Sequence, residues 1–267
     1  MFIHILGSCS GTPPILGRDY TSWVLETSNG HCFWFDAGGG CAATAWHRGL
    51  SPLAIRALFI SHPHSDHTSG LVGLFSTLRE AKWQKQDRTE FHLRCYTSLP
   101  CQIESADLAF KPNGRRDEWD YVLEIHKITS GLLLQDADVQ VEAISNNHMP
   151  PDPFSGEPLS YSFRISTGNQ RLVYTGDVKS LDELSTWLEA PIQLLMLETG
   201  HHRAVNLCRQ IRERQWPVEQ LLFLHHGVEI LRDPIGEKAE AEKAWGKAVL
   251  FASDGMTLFV NSDNRPA

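Results

Sequence analysis

One ten-residue run constrains this chain more than any other: Ser61–Gly70, SHPHSDHTSG, which follows the apolar stretch ALFI. It places His62, His64, Asp66 and His67 within six positions. Alternating residues of an extended segment point to one side, so His62 and His64 can face one ion together. Asp66 and His67 can then turn toward a second. Imidazole and carboxylate are the donors that borderline divalent cations accept, and a catalytic site keeps a position open for water. Gly70 is expected to let the chain turn at no steric cost.

A loop this short cannot close two coordination spheres, so the remaining ligands must come from the ends of later strands. Three segments qualify. VQVEAISNNH ends at His148, RLVYTGD at Asp177 and LLFLHH at His225 and His226. Together they supply a third ligand for the first ion, a carboxylate able to bridge, and a last ligand for the second. Zinc is the expected metal, with manganese or iron as alternatives.

The surrounding sequence supports a mixed sheet core. Runs rich in Val, Ile, Phe and Tyr, bounded by turn residues, predict strands at FIHIL, SWVLET, CFWFDAG, ALFIS, FHLRCY, VLEIHKI, VQVEAIS, SYSFRI, RLVYTG, LLMLE, LLFLHH and MTLFV. Helices are expected over about 68–84, 99–110, 180–189, 203–215 and 236–248. Two long irregular loops are predicted, at 111–120 and 149–158. No repeat or linker divides the 267 residues, so residues 1–267 read as a single domain of α/β (α+β) type.

Composition excludes several classes. The formal charge of −8 and pI near 5.9 leave no basic face, so a grip on long nucleic acid is not expected. A small anionic substrate fits better, because bound cations would supply local positive charge. No run of apolar residues is long enough to span a bilayer, and MFIHILGSCSG lacks the parts of a cleavable leader, so a cytoplasmic protein without membrane contact is the expectation. The six cysteines form no CxxC pair and are expected to be incidental thiols.

Through HPHSDH, His148, Asp177 and the closing histidine, the chain resembles the metallo-β-lactamase superfamily. It looks most like the ribonuclease Z branch and its phosphodiesterase relatives. LGSCSGTPP, FDAGGG, FISHPHSDHTSGLVGL, YTGD, LLMLET, VEQLLFLHHG and ASDGM carry that likeness. The resemblance implies a four-layer αββα sandwich of two mixed sheets and a dinuclear centre. Two divalent ions there would activate a water between them for attack on an ester. It favours His225 over His226 as the last ligand. It also implies a dyad in which Glu198 steadies His202, with His201 as close competitor, to protonate a leaving oxygen. Asp66 would serve both as ligand and as proton acceptor, and a homodimer is compatible with such folds.

The chain departs from ribonuclease Z in lacking a Gly/Pro- or Lys-rich arm, in having TSLPC after Tyr96, and in carrying Gly39, Gly40 and Cys41 where Glu and Thr are expected. The favoured reading is therefore a phosphodiesterase for a small or cyclic phosphodiester. RNA 3′-processing, or hydrolysis of a lactone, thioester or sulfate ester at the same metals, are the alternatives.

Overall fold

The structure, a computed structural model, describes residues 1–13, 15–110 and 119–260. Most of the loop expected at 111–120 lies outside these residues. The chain divides into two compact units, one of residues 1–7, 15–128 and 254–260, the other of Ser8–Pro13 and Thr129–Ser253.

The first unit holds β1 (Phe2–Gly7), β2 (Ser22–Glu26), β3 (Cys32–Phe35), β4 (Ile55–Phe59), β5 (His92–Thr97), β6 (Val122–Lys127) and the last strand, β14 (Thr257–Phe259). They form one sheet in the order β14-β1-β2-β3-β4-β5-β6. Pairing is antiparallel from β14 to β3 and parallel from β3 to β6. The β2–β3 hairpin turns at Asn29-Gly30, where Gly30 takes φ 76°, a region closed to most side chains.

Strand alternation sorts the residues by face. Val24, Trp34, Leu58 and Leu93 pack with Leu71, Leu74, Phe75 and Leu78 of α3 (Leu71–Gln84) and Ile103 of α4 (Pro100–Phe110). Also on the helical side is α1 (Cys41–His47), which contributes Cys41 and Ala45 to that core. The opposite face carries an aromatic ladder. Trp23, Phe35, Phe59, Tyr96 and His126 stack across five strands at centroid spacings of 4.2, 4.9, 4.8 and 4.9 Å.

The second unit repeats the scheme with β7 (Gly131–Gln135), β8 (Gln140–Ser145), β9 (Tyr161–Thr167), β10 (Gln170–Tyr174), β11 (Ile192–Thr199), β12 (Val218–His226) and β13 (Leu250–Phe251). Here the order is β13-β12-β11-β10-β9-β8-β7, antiparallel from β7 to β10 and parallel from β10 to β13. Its helical core gathers Val173, Leu195, Leu197, Leu221 and Phe223 with Trp187 of α5 (Ser185–Leu188) and Leu207 and Ile211 of α6 (Ala204–Glu213). Ile230 of α7 (Val228–Arg232) and Ala241 of α8 (Pro234–Trp245) complete it.

Two mixed seven-stranded sheets flanked by helices agree with the expected class. The twelve expected strands are all present, and β7, β13, α1 and α7 are additional. The helix expected over 68–84 is interrupted: a single turn, α2 (Ser65–Thr68), precedes α3. Over 180–189 the chain forms a 3-10 turn at Leu181–Leu184 followed by α5.

Topology decides where chemistry can sit. In the first unit β3 and β4 run parallel, so the residues after them leave the same sheet edge. In the second, β8 is antiparallel to β9 and β9 to β10, so β8 runs with β10, β11 and β12. The segments after all four emerge at one edge, the usual place for a site on a parallel array.

Candidate metal centre

In the first unit, β4 delivers Ser61 and His62, and α2 carries Asp66 and His67. The loop is organised by a residue the sequence reading quoted without assigning a role, Asp36. It is fully buried and adopts φ 56°, unusual for a residue with a side chain. Its Oδ1 accepts the Ser61 N–H at 2.7 Å, and its Oδ2 accepts the Ser61 hydroxyl and His67 Nδ1, each at 2.8 Å. With the Ser61 proton committed to Asp36, Ser61 Oγ accepts from His62 Nδ1 at 3.0 Å. Both imidazoles are thereby fixed as tautomers with the lone pair on Nε2. His62 Nε2 lies 3.0 Å from His64 Nδ1, and His67 Nε2 lies 3.7 Å from Asp66 Oδ2. A buried carboxylate that orients ligand histidines from behind is the usual support of a metal site.

Gly70 acts differently from the sequence expectation. Its φ of −85° is open to any residue. It is glycine for space, because a Cβ there would stand 2.3 Å from the Gly38 carbonyl oxygen and 2.8 Å from Cys41 Sγ.

In the second unit, three of the segments leaving the common sheet edge bring side chains to Asp177, which lies on the fourth. The turn before it uses Gly176 at φ 54°. Asp177 Oδ2 lies 3.4 Å from His225 Nε2, 3.6 Å from His148 Nε2 and 3.6 Å from His201 Nδ1. Asp177 and His225 are almost completely buried. His225 takes φ 54°, a left-handed conformation imposed where β12 ends and consistent with a functional position. The buried Glu198 receives the His201 backbone N–H at 2.9 Å, and its Oε1 lies 3.2 Å from His201 Nδ1. Burial opposes the charge on Glu198, but the hydrogen bonds from His201 and the nearby ring of His225, whose Nδ1 lies 3.7 Å from Oε2, outweigh it and hold the carboxyl below the usual carboxylate range. The Glu198 contact in turn holds His201 above the ordinary imidazole range.

The two adjacent pairs of histidines separate clearly. His226 spends both ring nitrogens on structure: Nδ1 lies 3.0 Å from Thr199 Oγ1 and Nε2 donates to the Ala252 carbonyl at 2.9 Å. His225 faces Asp177. His202 donates through Nε2 to the Val178 carbonyl at 2.8 Å and stands 3.5 Å from Glu198. His201, half-exposed, makes the shorter contact with Glu198 and also approaches Asp177.

The donor set fits a divalent ion. Two ligand atoms on a tetrahedral zinc, each about 2.0–2.1 Å from it, stand about 3.3 Å apart. The distances of 3.4 and 3.6 Å from Asp177 Oδ2 to His225 and His148 are close to that spacing. Within this unit Asp177, Glu198, His201 and His225 each offer an atom within 4.8 Å of the others. Cys9, Cys32, Cys41, Cys95 and Cys208 are buried, Cys101 is exposed and none forms a disulfide. Burial pushes the Cys32 and Cys208 thiols up to about 12, far from a reactive thiolate.

Two mixed sheets with histidines and aspartates at their strand ends define a metallo-β-lactamase fold, and solved structures agree. The Bacillus subtilis metallo-beta-lactamase fold protein YhfI superposes with TM-score 0.70 at 17% identity, over 97% of this chain and 99% of that one. Unliganded yeast PDE1 gives TM-score 0.68 at 14% identity, over 97% and 99%. In sequence, ribonuclease Z of Treponema pallidum is 46% identical over 70 residues, 26% of this chain and 22% of the relative. The chain thus spans about a quarter of the length of the ribonuclease Z relatives it matches. The family described as Anti-Pycsar protein Apyc1 matches residues 1–204, and the chain belongs to it. Among the described residues no helix is long and apolar enough to cross a membrane.

Proposed function

We propose that this protein is a metal-dependent hydrolase of a small or cyclic phosphodiester. The observation that carries the reading is the approach of His148, His201 and His225 nitrogens to one buried carboxylate oxygen of Asp177. Membership of the Apyc1 family and the likeness to yeast PDE1 support it. The metal identity expected is zinc.

In this reading His62, His64 and His148 hold one ion, while Asp66, His67 and His225 hold the other, and Asp177 serves both. Such a pair supplies Lewis acidity and a water acidified to near neutrality. The protein supplies position and protons. Asp36 and Ser61 keep His62 and His67 in their ligating tautomers. Asp66 accepts the proton of the attacking water. Glu198 orients His201, which donates to the leaving oxygen; the contact distances favour His201 over His202 in this role. We also propose that residues 1–267 act as one catalytic domain.

The test is turnover by protein reconstituted with zinc, manganese or iron in turn. The panel comprises cyclic nucleoside monophosphates, bis(p-nitrophenyl) phosphate, p-nitrophenyl esters, a lactone and a tRNA precursor. Cleavage of the small diesters, lost in Asp66→Ala, is expected. A clear preference for the carboxylic esters would overturn the phosphodiester assignment. A ribonuclease reading is favoured by the 46% identity to ribonuclease Z, and preferential cleavage of the tRNA precursor would establish it.

A further inference from the structure

The 3-10 turn at Leu181–Leu184 opens with a capping box, in which Ser180 and Glu183 satisfy each other's backbone N–H region. Glu183 Oε1 accepts the Ser180 N–H at 3.0 Å, as such a box requires. The second oxygen does something a capping box does not need. Glu183 Oε2 accepts the Asn147 N–H at 2.6 Å, from a segment 36 residues earlier in the chain. One carboxylate therefore ties together the two segments that carry His148 and Asp177, one residue after Asn147 and three before Ser180.

The hold on His148 is reinforced on its other side. The His148 N–H donates to Asn146 Oδ1 at 3.1 Å, and Asn146 Nδ2 donates to Ser162 Oγ at 3.1 Å. Ser162 Oγ in turn donates to the Thr175 carbonyl at 2.5 Å, two residues before Asp177. Consecutive amides at 147 and 148 are thus committed to side chains that lead back to the Asp177 turn by two separate routes. His148 has no regular structure of its own to place it, since β8 ends at Ser145.

From this we infer that Glu183 is a positioning residue for the metal centre: its two carboxylate oxygens clamp the His148 and Asp177 segments in the relative placement that coordination requires. The inference rests on the metal assignment proposed above. Charge-assisted bonds from a carboxylate to backbone N–H groups are among the stronger ones in a protein, which suits a tie between two loops.

Zinc affinity measured by competition with a chromophoric chelator tests it, with amide exchange of the metal-free protein alongside. Glu183→Ala removes both bonds, and Glu183→Gln keeps the shape and one accepting oxygen if the alanine variant folds poorly. Ser180→Ala weakens the same cap, whose Oγ accepts from Asp182 N, without touching the bond to Asn147. Loss of such supporting contacts costs about tenfold or more in metal affinity. Glu183→Ala and Glu183→Gln are expected to bind zinc about tenfold more weakly, with faster exchange at Asn147, while Ser180→Ala stays within about twofold of wild type. Equal zinc affinity in wild type and both Glu183 variants would overturn the clamp alone. A wild-type protein that takes up no zinc would overturn the metal assignment and the clamp with it.

Discussion

Gly200→Ala offers a severe test, because the change is one methyl group and its consequence is geometric. Gly200 follows β11 and packs against the ring of His225: a Cβ there would stand 2.5 Å from Nδ1 and 2.6 Å from Cε1, with Ser10 Cβ 3.1 Å away on another side. Ordinary contact begins at about 3.4 Å, so the ring must retreat by about 0.9 Å or the backbone must move. Retreat is hindered, since His225 is buried and its backbone is held in the left-handed region. Overpacking of this kind costs about 1–3 kcal/mol in stability. The larger effect falls on ligation. Zinc–nitrogen bonds tolerate a few tenths of an ångström, and disturbing what holds a ligand in place costs about 10- to 100-fold in metal affinity. Zinc affinity by chelator competition, measured beside the melting temperature of metal-free protein, separates the two. The expectation is an affinity loss of about 10- to 100-fold with a modest drop in stability. An alanine variant that binds zinc as tightly as wild type would refute the assignment of His225 as a ligand.

Other outcomes follow from single contacts. Asp36→Asn replaces an oxygen that accepts from His67 Nδ1 with an amide that cannot serve both its partners, and should weaken metal binding about 10- to 100-fold. Phe35→Ala removes the ring stacked between Trp23 and Phe59, and should destabilise the protein by about 3–5 kcal/mol in denaturant titrations. His201→Gln should lower kcat on substrates with poor leaving groups far more than on p-nitrophenyl diesters, whereas His202→Gln should affect both alike. Chelation should lower the melting temperature, since free zinc at 100 times its dissociation constant adds about 2.7 kcal/mol per site; an unchanged melting curve would count against a resident metal.

Much of this architecture is visible in the one-dimensional text, for identifiable reasons. Strands such as CFWF and LLMLE announce themselves because burial on both faces demands unbroken apolar residues. β7 escapes that logic: GLLLQ lacks β-branched residues and exposes Leu132, so neither composition nor alternation marks it. Helix α1 is missed because CAATAWH is short and follows three glycines, which read as a loop. The HPHSDH run is legible because four donors lie within one turn of chain. Asp36 contributes from 25 residues away, through hydrogen bonds that no periodicity encodes. The resemblance already favours His225 over His226, whereas the choice between His201 and His202 is beyond sequence spacing. Neighbouring residues diverge in direction: His201 makes a shorter contact with Glu198 than His202 does, and His225 faces Asp177 while His226 turns to Thr199 and Ala252. The Glu183 tie to Asn147 is a further example, hidden inside what reads as an ordinary helix cap.

Anomalous scattering from zinc-loaded crystals bears most directly on the dinuclear assignment. Two peaks are expected about 3.5–4 Å apart, both bonded to Asp177, with His225 Nε2 about 2.0–2.1 Å from one and His148 Nε2 at the same distance from the other. Zinc bound elsewhere, with Asp177 ligating nothing, would contradict it.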